Sequence, residues 1–214
     1  GAVEEEVKSQ KMKAELITNV SHDLKTPLTA IITYVNLLKG ENLTREQQKE
    51  YLNVLEQKSL RLKVLIEDLF EVSKANSENI VLNRTDVDIL NLVKQAAFEY
   101  SDKFSDAKLD IRLNLSEEKI LLFLDSQKTF RIYDNLFGNI AKYAMPGTRV
   151  YVMASLSEER LVITIKNISA REITIQSSDL TERFVRGDAS RNTEGSGLGL
   201  AIAKSFTTLQ GGEL

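Results

Sequence analysis

Apolar residues open this chain at steps of three and four. Met12, Leu16, Val20, Leu24, Leu28, Ile31, Val35 and Leu38 fall on one stripe of a long helix. Gly40 follows the stripe, where a glycine just past a helix stops it. Thr44-Arg45-Glu46-Gln47 has the spacing of a capping box and opens a second helix, striped by Tyr51, Leu55, Leu62, Leu65, Leu69 and Val72. The pair predicts an antiparallel hairpin with a short connection. A lone hairpin leaves apolar surface in water, so two copies are expected to join as a homodimeric four-helix bundle. The polar stretch from Ser73 to Asn79 marks a boundary, giving domains at 1–75 and 76–214.

Past the boundary the period changes. Ile80-Val81-Leu82 reads as a short strand and Val87 to Tyr100 as a helix. Leu109 to Leu115 alternates as a half-buried strand does, and Ile120 to Leu124 reads as another. Ser126 to Tyr143 reads as a helix, Val150 to Ser155 and Leu161 to Lys166 as paired strands, and Leu198 to about Leu209 as a last helix. This mixture predicts an α/β sandwich, one sheet with helices on one face. The chain stops just after Gly211-Gly212, so the sheet is expected to lack a closing strand. Gly1-Ala2 reads as an expression scar, with natural chain expected upstream.

Composition adds exclusions. The chain has 214 residues and a net charge of −3, which gives no general pull toward nucleic acid or anionic membrane. It has 0 cysteines, so disulfides and thiolate metal sites are excluded. No signal peptide is visible, and no run of about 18 apolar residues would span a bilayer.

The one histidine, His22, lies two residues from both Val20 and Leu24, off the stripe and toward solvent. Imidazole titrates near neutrality and is a good nucleophile. Asp23 is placed to accept the Nδ1–H and leave Nε2 ready to attack. Thr26 lies one turn on, on the same face, where a hydroxyl orients water. Pro27 removes a helix hydrogen bond there, so a bend is expected. Taken singly, each of these residues also fits a solvated aspartate, a tolerated threonine or a tolerated kink. Far downstream, Gly195, Gly197 and Gly199 precede a helix. Glycines let backbone approach phosphate, and a helix N-terminus presents free N–H groups to an anion. Asn135 and Asn139 share a helix face near Lys142 and Tyr143, and an amide oxygen can ligate Mg²⁺ alongside phosphate. A histidine to carry phosphoryl and a loop to hold phosphate suggest transfer from a nucleotide to His22.

Ser21-His22-Asp23-Leu24-Lys25-Thr26-Pro27-Leu28 resembles the H-box of the sensor histidine kinases of two-component systems. The resemblance implies that His22 is autophosphorylated, that Asp23 is its acid/base partner, and that Thr26 serves dephosphorylation of the partner protein. Asn135 to Tyr143 resembles that family's N-box, Thr181 to Asp188 its F-box, and Gly195 to Leu200 its second glycine box. These imply an α+β protein of two domains. The first is the dimeric hairpin. The second is an ATP-binding α/β sandwich of the histidine kinase/Hsp90-like type. ATP and Mg²⁺ are the implied cofactors. Asn139 is the implied metal ligand with Asn135 in support, Lys142 contacts phosphate and Tyr143 the base. Asn167, Arg186, Gly195, Gly197, Leu198 and Gly199 complete the implied nucleotide contacts, under a lid between Ile173 and Ser196. The implied partners are a second copy and the receiver domain of a response regulator. The implied setting is the cytoplasmic portion of a bacterial inner-membrane sensor, anchored by an upstream segment.

One block departs from the family pattern. Asn167 stands where an aspartate is usual, and Ser169 and Arg171 replace two glycines. An amide oxygen accepts from adenine without charge assistance. The departure motivates an alternative, a phosphatase-dominant or scaffold member with weak ATP binding. A chaperone- or topoisomerase-type ATPase is a second alternative, against which the H-box counts.

Overall fold

The structure is a computed structural model describing residues 21–75, 81–157, 160–170 and 198–214. Helix α1 is described over 21–38 and continues through Pro27, which is buried. At the turn, a Cβ on Gly40 would stand 3.1 Å from the Leu37 carbonyl, so glycine belongs there for space. The left-handed residue of the turn is Asn42, at φ 69°, a conformation asparagine tolerates. The capping box forms as expected. The Thr44 N–H donates to Gln47 Oε1 at 2.9 Å, and the Gln47 N–H donates to Thr44 Oγ1 at 3.2 Å. Helix α2 then runs Arg45–Ala75, through the first residues of the polar stretch. Tyr34 and Tyr51 meet edge to face at 5.5 Å and mark the antiparallel register of the hairpin.

The second unit follows in the order β1 (Arg84–Asp88), α3 (Ile89–Glu99), α4 (Ser101–Asp106), β2 (Asp110–Asn114), β3 (Leu121–Asp125), α5 (Ser126–Tyr143), β4 (Arg149–Ser157), β5 (Arg160–Lys166) and α6 (Gly199–Leu209). Two expectations change. The first strand is Arg84–Asp88, not Ile80–Leu82. Ile80 lies outside the described residues and Val81 is 92% exposed. Pairing with β3, from Arg84 opposite Asp125 to Asp88 opposite Leu121, makes a strand of a polar run that burial alone does not mark. The helix expected from Val87 starts at Ile89, because the Asp88 carboxylate caps it by accepting the Asn91 N–H.

The single sheet is divided among the described residues. β1 and β3 form an antiparallel pair, while β2, β4 and β5 form a mixed sheet with β2 parallel and β5 antiparallel to β4. The main core lies between helices and strands. Val93, Ala96 and Ala97 of α3 meet Phe137 of α5, Val150 and Val152 of β4, and Phe104 of α4. Phe104 and Phe137 pack edge to face at 5.9 Å. A second core joins α5 to α6 through Ile132, Leu198, Ile202, Ala203 and Phe206. α6 also packs against α2, so the hairpin touches the second unit.

Buried Asp125 joins three elements. Its Oδ1 accepts the Lys128 N–H and caps α5, its Oδ2 accepts the Asn83 N–H ahead of β1, and its own N–H donates to Gln210 Oε1 beyond α6. Asp125→Ala is expected to destabilise the fold by about 2–3 kcal/mol, the cap plus the amide left unpaired at Asn83. Asp125→Asn, which keeps one acceptor oxygen and so one of the two bonds, should lose less; urea unfolding of both variants checks the order.

Candidate functional site

α1 carries the histidine on its solvent side. The His22 side chain is 82% exposed, and its Nδ1 lies 3.8 Å from Asp23 Oδ1. That is an ion-pair separation, longer than a hydrogen bond. The Thr26 hydroxyl donates to the His22 carbonyl at 3.2 Å. Its proton is therefore turned onto the backbone, one turn below the ring. His22 and Thr26 are exposed and Asp23 between them is half-buried.

The expected nucleotide residues gather along α5 and its neighbours. Asn135 donates through Nδ2 to the Arg131 carbonyl at 2.9 Å. Its Oδ1 lies where a Cβ on Gly199 would come within 2.9 Å. Gly199 therefore lets the first turn of α6 seat against Asn135, a packing demand in addition to any close approach of phosphate. The Leu198 side chain is buried with Ile132 and Phe206, so its backbone is what it offers a ligand. Asn139 is half-buried one turn past Asn135, Tyr143 is half-buried at the end of the helix, and Lys142 is exposed. The segment after β5 lies along that end. Met145 donates to the Ile168 carbonyl at 2.8 Å, Ala170 donates to the Tyr143 carbonyl at 2.9 Å, and Ser169 bridges Ala144. Asn167, at the start of this segment, is exposed. Arg171, Arg186, Gly195 and Gly197, with the expected lid and F-box, lie outside the described residues.

Sequence reasoning missed a charged cluster on the same helix. Arg131 donates to Asp68 Oδ1 at 2.7 Å and to Glu71 Oε2 at 3.1 Å, both on α2, and to Asp134 Oδ2 at 2.7 Å on its own helix. Tyr100, beyond the end of α3, donates its hydroxyl to Asp134 Oδ1 at 2.7 Å. Burial works against the Arg131 charge. Glu71, Asp68 and Asp134 outweigh it and hold the guanidinium above its ordinary pKa. Burial first, then Asp134, pushes the Tyr100 phenol up, so it stays a donor. The signal was the i,i+3 pair Arg131/Asp134, which reads in sequence as a solvated ion pair. Among the described residues no group of three or more His, Asp or Glu side chains is arranged to hold a metal.

Comparison with known proteins matches both parts of the chain. Residues 12–78 match the His Kinase A (phospho-acceptor) domain. Residues 124–214 match the histidine kinase-, DNA gyrase B-, and HSP90-like ATPase domain. The chain is 32% identical to the sensor protein VanSC of Enterococcus gallinarum over 209 residues, covering 96% of this chain and 57% of that protein. It is 29% identical to the sensor protein VanS of Enterococcus faecium over 209 residues, covering 96% of this chain and 54% of the relative. The chain thus spans little more than half the length of these relatives. In fold it is similar to the Acinetobacter baumannii histidine kinase AdeS, with TM-score 0.63 and 20% identity over 87% of this chain and 86% of that one. It is also similar in fold to the histidine kinase ThkA solved with the response regulator TrrA, with TM-score 0.68 and 16% identity over 96% of this chain and 57% of that one. The chain belongs to the sensor histidine kinases of two-component systems, and its second unit is an ATP-binding domain.

Alanine in a helix is usually more stable than glycine by up to about 1 kcal/mol. Gly199→Ala is expected to invert that sign and lower stability, because its Cβ meets the anchored Asn135 amide. In an Asn135→Ala background the same substitution should stabilise. Urea unfolding of the four chains checks the coupling, and equal effects in both backgrounds would refute it.

Proposed function

We propose that this chain is the catalytic portion of an ATP-dependent protein-histidine kinase. His22 takes the γ-phosphoryl group, which then passes to an aspartate on the receiver domain of a response regulator. The observation that carries the reading is His22 itself. It is the chain's one histidine, set in the H-box, 82% exposed, with a carboxylate 3.8 Å from Nδ1. The ThkA complex supports the partner class, since that kinase was solved with a response regulator. We divide the chain into a dimerisation and phosphotransfer domain at 1–75 and an ATP-binding domain at 76–214. Leu28, Ile32, Leu52, Leu60, Val64 and Phe70 of the hairpin are exposed in the single chain and supply the apolar face for a homodimer.

In the reaction the Nε2 lone pair forms the N–P bond while the bond to the β–γ bridging oxygen breaks and ADP leaves. Asp23 accepts the Nδ1 proton, which requires its 3.8 Å separation to close to a hydrogen bond. Asn139, with its half-buried amide, would hold Mg²⁺ together with the phosphates. Bound there, the ion would neutralise phosphate charge. Asn135 keeps α5 and the start of α6 in contact, Lys142 meets phosphate and Tyr143 the base. Asn167 accepts from the base as an amide, with Arg186, Gly195, Gly197, Leu198 and Gly199 closing over the phosphates. For the reverse activity on the regulator, the Thr26 hydroxyl must turn from the His22 carbonyl toward water at the phosphorylated aspartate. No helix among the described residues is long and apolar enough to cross a membrane. The membrane segment and cytoplasmic setting we assign therefore rest on the relatives' being sensor proteins.

Incubation with γ-labelled ATP and Mg²⁺ is expected to give alkali-stable, acid-labile label on the wild type. His22→Gln should abolish it, and Asn139→Ala should lower the rate by about a hundredfold, as loss of a group acting on the transferred phosphoryl does. Wild type that dimerises but takes no label would overturn the kinase reading in favour of a phosphatase or scaffold.

A further inference from the structure

A glycine stands inside α5 at Gly138, directly before Asn139 and one turn past Asp134. Glycine weakens a helix interior, so its presence there needs a cause. Conformation is not the cause. The glycines with positive φ among the described residues are Gly147 and Gly211, and Gly138 keeps helical backbone. Space is the cause. A Cβ on Gly138 would stand 3.1 Å from the Tyr100 hydroxyl oxygen, while the ring carbons behind that oxygen are 3.8 Å away, in ordinary contact. The missing side chain leaves a notch the size of one hydroxyl. Through it Tyr100 reaches the Asp134 carbonyl at 3.0 Å as well as Asp134 Oδ1 at 2.7 Å. That carbonyl is the one the helix ladder offers to the Gly138 N–H. The phenol therefore ties the turn from Asp134 to Gly138 from outside the helix.

Tyr100 is itself held fast. It forms the joint between α3 and α4, its N–H donating to the Ala97 carbonyl at 3.2 Å and its carbonyl accepting the Phe104 N–H at 2.8 Å. It is 7% exposed, and its ring packs on Phe104 and Phe137 with centroids 5.9 and 6.1 Å away. The Asp134 charge does not depend on it, because Arg131 holds Oδ2 at 2.7 Å. What the hydroxyl adds is the position of the turn.

We infer that Tyr100 is a positioning residue for the phosphate end of the nucleotide site: its hydroxyl holds in place the turn that Gly138 leaves soft and that carries Asn139. The inference rests on the reading above in which the Asn139 amide holds Mg²⁺. Asn139 is half-buried and follows Gly138 directly, so loosening between Asp134 and Gly138 moves that amide. The base end of the site is tied separately, through Ala170 on the Tyr143 carbonyl and Met145 on the Ile168 carbonyl. Loss of the tether therefore falls on metal dependence and spares metal-free nucleotide binding.

The test uses the full chain as wild type, Tyr100→Phe, Gly138→Ala and the two combined. Tyr100→Phe removes the tether and keeps the soft turn. Gly138→Ala drives a methyl against the hydroxyl. The double variant fills the empty notch and stiffens the helix. Amide hydrogen exchange over residues 134–139, without nucleotide, reads the turn. Binding of a fluorescent non-hydrolysable ATP analogue, in EDTA and across a Mg²⁺ series, reads the site. Each single variant should speed exchange and raise the Mg²⁺ concentration for half-maximal binding about fivefold, the factor one neutral hydrogen bond carries. The double variant should return both to the wild-type range, and affinity in EDTA should be the same in all. Unchanged exchange in Tyr100→Phe would overturn the tether whether or not the chain binds nucleotide. Faster exchange with an unchanged Mg²⁺ requirement would overturn the positioning role. Equal losses with and without metal would show a general structural effect and overturn it too. A double variant worse than either single would overturn the notch. Exchange as expected, with no analogue bound by any chain, would count against the nucleotide reading and remove the positioning role with it, leaving only the tether.

Discussion

The rest of the nucleotide-binding unit depends on how the start of α5 is held. The Asp125 carboxylate accepts one N–H from its own helix and one from Asn83, and its backbone N–H donates to Gln210. A carboxylate this buried is tolerable only with its oxygens occupied. Thr129 completes the arrangement by donating to the Asp125 carbonyl at 2.7 Å. Among the described residues no buried side-chain nitrogen or oxygen lacks a partner. One residue therefore sets where β1 enters, where α5 begins and where α6 ends. The β1–β3 pair and the α5–α6 core meet at that point.

Down α5 the chain spends one turn on each neighbour. Arg131 faces α2, Asn135 faces the start of α6, and Tyr143 receives the backbone that follows β5. These positions lie four and then eight residues apart, so they spiral slowly along one side of the helix, a rigid rod about 27 Å long. A shift at the α2 contact is a shift of the whole rod, because Phe137 and Ile140 on its other side are buried in the core. The contacts with α2 and those proposed for the nucleotide are thus mechanically one object.

The hairpin was legible because a 3.6-residue stripe, a stopping glycine and a capping box agree with one another. α5, β4 and β5 were legible for the same reason. β1 was not. Arg84-Thr85-Asp86-Val87-Asp88 buries one apolar side chain, Val87, and owes its extended form to a partner strand far along the chain. The site divides in the same way. His22, Asp23 and Thr26 announce themselves as a contiguous motif. The work of Gly199 against Asn135 is a contact between helices that no local spacing encodes. Asp68 and Glu71 look like any solvated pair on a long helix until Arg131 arrives from a different unit. Short-range pattern reads what a segment is, and long-range packing decides what it meets.

The parallel pairing of β2 with β4 sets an order of assembly. Asp110 pairs with Arg149 and Asn114 with Met153, while β3 and the whole of α5 lie between the two strands in the chain. The sheet therefore cannot close on a ribosome until the helix that carries Asn135 and Asn139 has already emerged. Loop closure over such a separation is slow and leaves β2 unsatisfied in the meantime. The Asp110 carboxylate on its own strand, held by Arg112 at 2.7 Å, keeps that waiting edge charged, which disfavours its pairing with another nascent chain.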